Sequence, residues 1–216
     1  QVKLKVGIPD TDDVKRTRRT RRWLGSKMDL RIDANEAWSA TEAADKIRAL
    51  EPFGITSVEQ PVPHEQVAGL ADVRKAINTP VMLDESLCGP VDAERAVAGG
   101  WCDLFNLRLS KCGGFIPSLR LALLAKRHGL GCQLGCQVGE TGILSAAGRH
   151  FATSVGGLRY VEGSYDRHLV REALAEEDIT FGRGGRAPML VGSGLGVAID
   201  PARLDAVTVR REGLIG

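Results

Sequence analysis

The sequence predicts an α/β barrel of the TIM type, on three observations. Short runs rich in Val, Ile and Leu alternate with longer stretches of helical periodicity, the pattern of βα units around a parallel sheet. The runs recur at a near-constant spacing, one βα unit apart. Charged residues close the runs at that same spacing, which is where such barrels carry their chemistry.

Taken in order, strands are expected at 2–7, 30–33, 57–59, 81–84, 104–109, 131–133 and 159–162. Helical periodicity covers 41–50, where Ala44, Ile47 and Leu50 share a face, and 116–127, with a Leu/Ala stripe. These helices would clothe the barrel. A complete barrel has eight strands in about 250 residues, so one unit, the first strand, is expected upstream. The chain opens on Gln1 directly before a strand and is read as a fragment. Residues 1–178 are expected to form the partial barrel. Residues 179–216, glycine-rich and containing Pro188, are expected to form an extended, turn-rich segment packing on the barrel or on a capping domain.

Composition sets broad limits. Of the 216 residues 43% are hydrophobic and 26% charged, the profile of a soluble globular protein. The formal net charge is only +2, so neither nucleic acid nor membrane is the expected partner, and a small molecule is. No run approaches the roughly 18 apolar residues of a membrane span, the first residues lack the regions of a signal peptide, and a cytoplasmic location is expected. The five cysteines carry no Cys-x-x-Cys spacing and are read as buried, reduced thiols. The basic run at 15–22 follows Asp10, Asp12 and Asp13, the polarity a helix dipole favours, and is read as a solvated helix face. The four histidines are scattered without ligand spacing, and Trp23, Trp38 and Trp101 are read as packing residues.

The chemistry is carried by Lys5, Asp33, Glu59, Asp84 and Lys111, which close or follow five successive strands at intervals of 28, 26, 25 and 27 residues. Groups at equivalent places on successive strands converge over the barrel mouth. Three carboxylates on adjacent strands make an all-oxygen site suited to a hard cation such as Mg²⁺, with Mn²⁺ also fitting. Lys3 and Lys5 are two apart on one strand and so share a face. A lysine acting as base near neutral pH needs its ammonium form disfavoured by roughly 4 kcal/mol, and neighbouring positive charge acts in that direction.

The segments Lys3-Leu4-Lys5, Asp33-Ala34-Asn35, Glu59-Gln60-Pro61, Asp84-Glu85-Ser86 and Lys111-Cys112-Gly113-Gly114, with Gly192 to Val197 near the end, resemble the muconate-lactonizing enzyme subgroup of the enolase superfamily, that is, the C-terminal barrel domain of mandelate racemase/muconate-lactonizing enzymes. The resemblance implies an enolase-like (β/α)7β barrel, here lacking the first strand and the N-terminal capping domain. It implies Mg²⁺ on Asp33, Glu59 and Asp84, with Asn35 and Glu85 supporting the metal shell. It further implies that Lys5 and Lys111 face each other across a substrate α-carbon. One removes the proton alpha to a carboxylate to give an enediolate, and the other can reprotonate the opposite face. Lys3, Glu140 and Glu162 are the substrate-binding candidates. Members of the subgroup carry out racemisation or epimerisation, cycloisomerisation, or syn-elimination, and the full-length protein is expected to be a homo-oligomer. Dipeptide epimerases of the family end the last strand with Asp-x-Asp, whereas this chain reads Glu162-Gly163-Ser164-Tyr165-Asp166. A Schiff-base aldolase using Lys111, and a degenerate barrel kept as an interaction module, are the competing expectations.

Overall fold

The structure, a computed structural model, describes residues 1–213. Seven strands follow chain order in the sheet, β1 (Val2–Lys5), β2 (Leu30–Asp33), β3 (Ile55–Glu59), β4 (Val81–Leu83), β5 (Leu104–Leu107), β6 (Gly131–Leu134) and β7 (Leu158–Val161). The registered pairs from β1 to β5 are all parallel. The helices are α1 (Asp13–Leu24), α2 (Ala40–Leu50), α3 (Leu70–Ala76), α4 (Pro90–Gly99), α5 (Phe115–Arg127), α6 (Gly142–Ser154), α7 (Asp166–Leu169) and α8 (Pro201–Val207). This is the expected βα barrel pattern.

The chain divides into two compact units: Gln1–Leu107 with Lys111–Gln133, and Arg108–Ser110 with Leu134–Gly216. In the first unit Leu30, Ile32, Val58, Val81, Leu83, Leu104 and Phe105 are fully buried on the strands, and Ala43, Ile47, Leu50, Leu70, Ala93 and Ala125 on the helices. A parallel sheet is covered on both faces, and full burial of each large aliphatic side chain contributes about 1.5–3 kcal/mol. The first two helices are started by local chemistry. Asp12 caps α1 by accepting from Lys15 N at 2.9 Å, and Ser39 with Glu42 forms a capping box on α2. Gly7 turns the chain between β1 and α1 with φ +71°, where a Cβ would meet the Ala37 Cβ at 2.3 Å. Its N–H donates to Asp13 Oδ2 at 2.8 Å.

The second unit is built on α6 and β7. Buried Arg149 of α6 ties the following chain to itself, donating to Ser164 Oγ at 2.9 Å, Ile179 O at 2.7 Å and Pro188 O at 2.9 Å. Its guanidinium lies over the Phe181 ring at 5.0 Å. Residues 170–200 otherwise run without regular elements apart from an antiparallel bridge, Ala175 to Ile199, and one short turn of helix, Arg183–Gly185.

All five cysteines are free. Burial pushes the Cys102 and Cys132 thiols up to about 12, which leaves them protonated packing groups. Cys88, however, is exposed. Trp38 is buried as expected, but Trp23 is 87% exposed, because α1 ends one residue later and turns away at Gly25. Among the described residues no helix is long and apolar enough to cross a membrane.

The basic run lies on α1, with Lys15, Arg18, Arg19 and Arg22 exposed as a solvated face. Arg21 departs from that reading. Its guanidinium donates to four carbonyls, Phe53 O at 2.8 Å, Gly25 O at 2.8 Å, Met28 O at 2.7 Å and Gly54 O at 2.9 Å, joining the end of α1 to the turn after α2. Arg21→Ala is therefore expected to lower stability by about 1–3 kcal/mol, while Arg22→Ala, which removes only an exposed side chain, stays within about 0.5 kcal/mol of the parent. Urea unfolding of the two variants checks the contrast.

Candidate active site

The register of the first three strands brings the site together. Lys3 stands beside Arg31 and Lys5 beside Asp33 between β1 and β2, and Asp33 stands beside Glu59 between β2 and β3. Neighbours in register on parallel strands point to the same face. An irregularity in β3 makes this possible: Leu30 pairs with Ile55 but Ile32 pairs with Val58, so two steps on β2 match three on β3. Without the extra residue Val58 would stand beside Asp33, and Glu59 would turn to the opposite face.

Asp33, Glu59 and Asp84 are buried, with at most 1% of their surface exposed. Buried carboxylates require compensation, and lysines supply it. Lys5 Nζ lies 2.6 Å from Asp33 Oδ2 and 2.5 Å from Asn35 Oδ1. Lys3 Nζ lies between two strands, 3.2 Å from Asp33 Oδ2 and 3.4 Å from Glu59 Oε2. Lys111, in the turn after β5, donates to the carbonyls of Asp84 at 2.5 Å and Leu87 at 2.6 Å, and lies 3.2 Å from Asp84 Oδ1. The two lysines of β1 therefore do share a face, and each is held by carboxylate oxygen.

The supporting residues complete the arrangement. Asn35 N–H donates to Asp33 Oδ1 at 3.1 Å, and the Asn35 amide donates to Glu85 Oε1 at 3.0 Å. Asn106 of β5 donates to Glu59 Oε1 at 2.9 Å. Arg31, 3% exposed, donates to Gln133 Oε1, and its Nη1 is 3.8 Å from Glu59 Oε2. Gln60 accepts from the N–H groups of Asp84 at 3.0 Å and Ser86 at 3.2 Å and donates to Val62 O at 2.9 Å and Ser86 Oγ at 2.8 Å. Three non-glycine residues just after β2 and β3 adopt positive φ, Asn35 (+41°), Glu36 (+66°) and Gln60 (+35°), a backbone state that persists only where surrounding contacts enforce it.

Three buried carboxylates on successive strands offer the all-oxygen donor chemistry that suits Mg²⁺ or Mn²⁺, and by that chemistry the residues present fit a divalent cation. Among the described residues no three acidic, His or Cys side chains already converge as a metal-binding group. Here the Lys3 ammonium lies between Asp33 and Glu59.

Glu140 and Glu162 belong to the second unit, where they line one small cavity with Leu109 and Leu134. Burial pushes the Glu140 carboxyl above its usual range, against hydrogen bonds from the Gln137 N–H at 3.1 Å and the Ser145 hydroxyl at 3.0 Å. Glu162 N–H donates to Leu134 O at 2.8 Å, joining the end of β6 to the end of β7. The structure thus gathers Lys3, Lys5, Asp33, Asn35, Glu59, Asp84, Glu85 and Lys111 in the first unit and sets Glu140 and Glu162 together in the second.

A family model described as "Enolase C-terminal domain-like" matches residues 1–203. The chain belongs to this enolase family. It is similar to a hydrophobic dipeptide epimerase of Enterococcus faecalis, 37% identical over 153 residues that cover 71% of this chain and 43% of the relative. It is also similar to muconate cycloisomerase 1 of Rhodococcus opacus, 34% identical over 206 residues that cover 95% of this chain and 54% of the relative. The fold matches the crystal structure of a dipeptide epimerase from Cytophaga hutchinsonii complexed with Mg and the dipeptide D-Ala-L-Val. The TM-score is 0.87 at 31% identity, over 94% of this chain and 55% of that one. The chain spans about half the length of the curated relatives it matches.

Within this candidate site, sequence reasoning missed Arg31, Asn106 and Gln133, and it quoted Gln60 only as part of the Glu59-Gln60-Pro61 segment. Arg31 carried a usable signal, since it lies two residues before Asp33 on a period-two strand and so faces the same way. Nothing local marked Gln133, which meets Arg31 from 102 positions away, and the role of Gln60 depends on a turn.

Glu140 sets a pH dependence. Its native carboxyl titrates above the unfolded value near 4.3, so the stability it contributes is present below that value and lost as pH rises through the raised native one. Glu140→Gln is expected to gain stability relative to the parent as pH climbs through that window, read by urea unfolding of both proteins at about pH 4 and about pH 7.

Proposed function

We propose that this chain forms the catalytic part of a divalent-metal-dependent enzyme that abstracts the proton alpha to a substrate carboxylate. The observation that carries the reading is the placing of Lys5 and Lys111 at the two ends of a buried row of carboxylates, Lys5 on Asp33 and Lys111 on Asp84. A Schiff-base aldolase would leave that row without a role.

Asp33, Glu59 and Asp84 would hold Mg²⁺, or Mn²⁺, which supplies positive charge against the negative charge that develops on the substrate carboxylate. One of the two lysines, as the neutral amine, accepts the α-proton and becomes an ammonium, leaving the electron pair on the substrate as an enediolate. The other, as an ammonium, returns a proton to the opposite face, which inverts the centre. Lys3 orients the substrate carboxylate, while Asn35 and Glu85 keep Asp33 in place through their shared hydrogen bonds. Glu140 and Glu162 are proposed substrate contacts, supported by the cavity they share in the second unit.

Racemisation or epimerisation, cycloisomerisation and syn-elimination all begin with this proton transfer. Epimerisation of a dipeptide or an N-acylamino acid has the most support, because dipeptide epimerases match at 37% identity and at a TM-score of 0.87, and an N-succinyl Arg/Lys racemase at 31% identity and a TM-score of 0.84. The full-length protein is proposed to be a homo-oligomer.

The test is α-proton exchange in D₂O followed by NMR, with Mg²⁺ and a panel of dipeptides, N-acylamino acids and muconate-like diacids. Exchange is expected with at least one class and should disappear on chelation and return with Mg²⁺. Lys5→Ala and Lys111→Ala should each slow it by about 10²–10⁴-fold. Undiminished exchange in both lysine variants would overturn the assignment.

A further inference from the structure

We infer that Arg31, held in place by Gln133, is a positioning residue for the Glu59 carboxylate and thereby sets how tightly the row of carboxylates takes up a divalent cation. The inference rests on the metal-dependent function proposed above.

Arg31 shares its register and face with Lys3, yet it is only 3% exposed. A guanidinium in such surroundings is unfavourable unless it is paired and hydrogen-bonded. Its Nη1 donates to Gln133 Oε1 and stops 3.8 Å from Glu59 Oε2, beyond hydrogen-bond range. At Nη1, therefore, Arg31 presents charge to Glu59 while its hydrogen bond goes to Gln133, which fixes where that nitrogen lies. The other sides of the carboxylate are taken by Asn106, at 2.9 Å from Oε1, and Lys3, at 3.4 Å from Oε2. The Glu59 carboxylate plane is thus fixed by groups on β1, β2 and β5.

The same layer carries buried polar atoms without a hydrogen-bond partner among the described residues, including Gln133 Nε2, Asn106 Oδ1 and Ser57 Oγ. Such groups detract from stability, and apolar residues of similar shape would serve the core better. Freed from Gln133, Nη1 would no longer be held 3.8 Å from Glu59 Oε2 and could move onto that oxygen as a hydrogen-bond donor, in competition with a metal ion for it.

Equilibrium binding of Mn²⁺, followed by EPR on the full-length protein, tests this without reference to turnover. Gln133→Leu changes no charge and is expected to weaken Mn²⁺ binding by about 10–100-fold, the usual range for residues that orient a metal's ligands. In an Arg31→Met background the same substitution should have less than about a twofold effect, since Gln133 then has nothing to hold. Should Gln133→Leu fail to fold by circular dichroism, Gln133→Met, unbranched like glutamine, takes its place in both arms. Unchanged Mn²⁺ binding in the Gln133 variant, or an equal loss in both backgrounds, overturns the inference while leaving the proposed function standing. Absence of Mn²⁺ binding in the parent protein overturns both.

Discussion

The site depends on keeping three carboxyl groups inside a protein core. Asp33, Glu59 and Asp84 are almost wholly removed from solvent, and each would be strongly unfavourable there alone. Lys3, Lys5, Arg31 and Lys111 compensate them from the same unit. Every positive group has a backbone reason for being where it is: β1 supplies two by alternation, β2 supplies Arg31 by register, and the turn after β5 supplies Lys111 through carbonyl acceptors. Strand geometry and charge compensation are therefore one constraint.

That constraint also accounts for local irregularity. The extra residue in β3 weakens a regular ladder, yet it is what aims Glu59 at Asp33. The positive φ values at Asn35, Glu36 and Gln60 fall in the turns immediately after the carboxylates of β2 and β3. In a parallel barrel the strand ends are where sequence can depart from ideal geometry without disturbing the apolar layers beneath, here Ile32, Val58 and Leu83. Among the described residues, three of the five non-glycine residues with positive φ fall in these two turns.

Much of this was legible in the residues themselves, for a physical reason. A βα unit has a characteristic length, so Lys5, Asp33, Glu59, Asp84 and Lys111 betray their common level through spacing alone. The ends of strands were less legible: β3 starts at Ile55, earlier than its apolar alternation suggests, because the extra residue breaks the period. Long-range pairs such as Arg31 with Gln133 leave no local trace. Arg21 looked like its solvated neighbours because a charged side chain that binds carbonyls has the same composition as one that binds water. The exposure of Trp23 was hidden by the general habit of tryptophan to pack.

Gln60 carries one more consequence. A single buried amide grips the turn after β3 and the first N–H groups beyond β4 at once, so Glu59 and Asp84 are mounted on what is mechanically one jaw. Drift in either turn is transmitted to the other. The neighbourhood of these two acids should therefore vary in concert between homologues, with compensating changes on both turns, and the flank around Asp33 is drawn into the same assembly, because the Ala34 and Glu36 N–H groups donate to the Glu59 and Gln60 carbonyls and the Asn35 amide donates to Glu85.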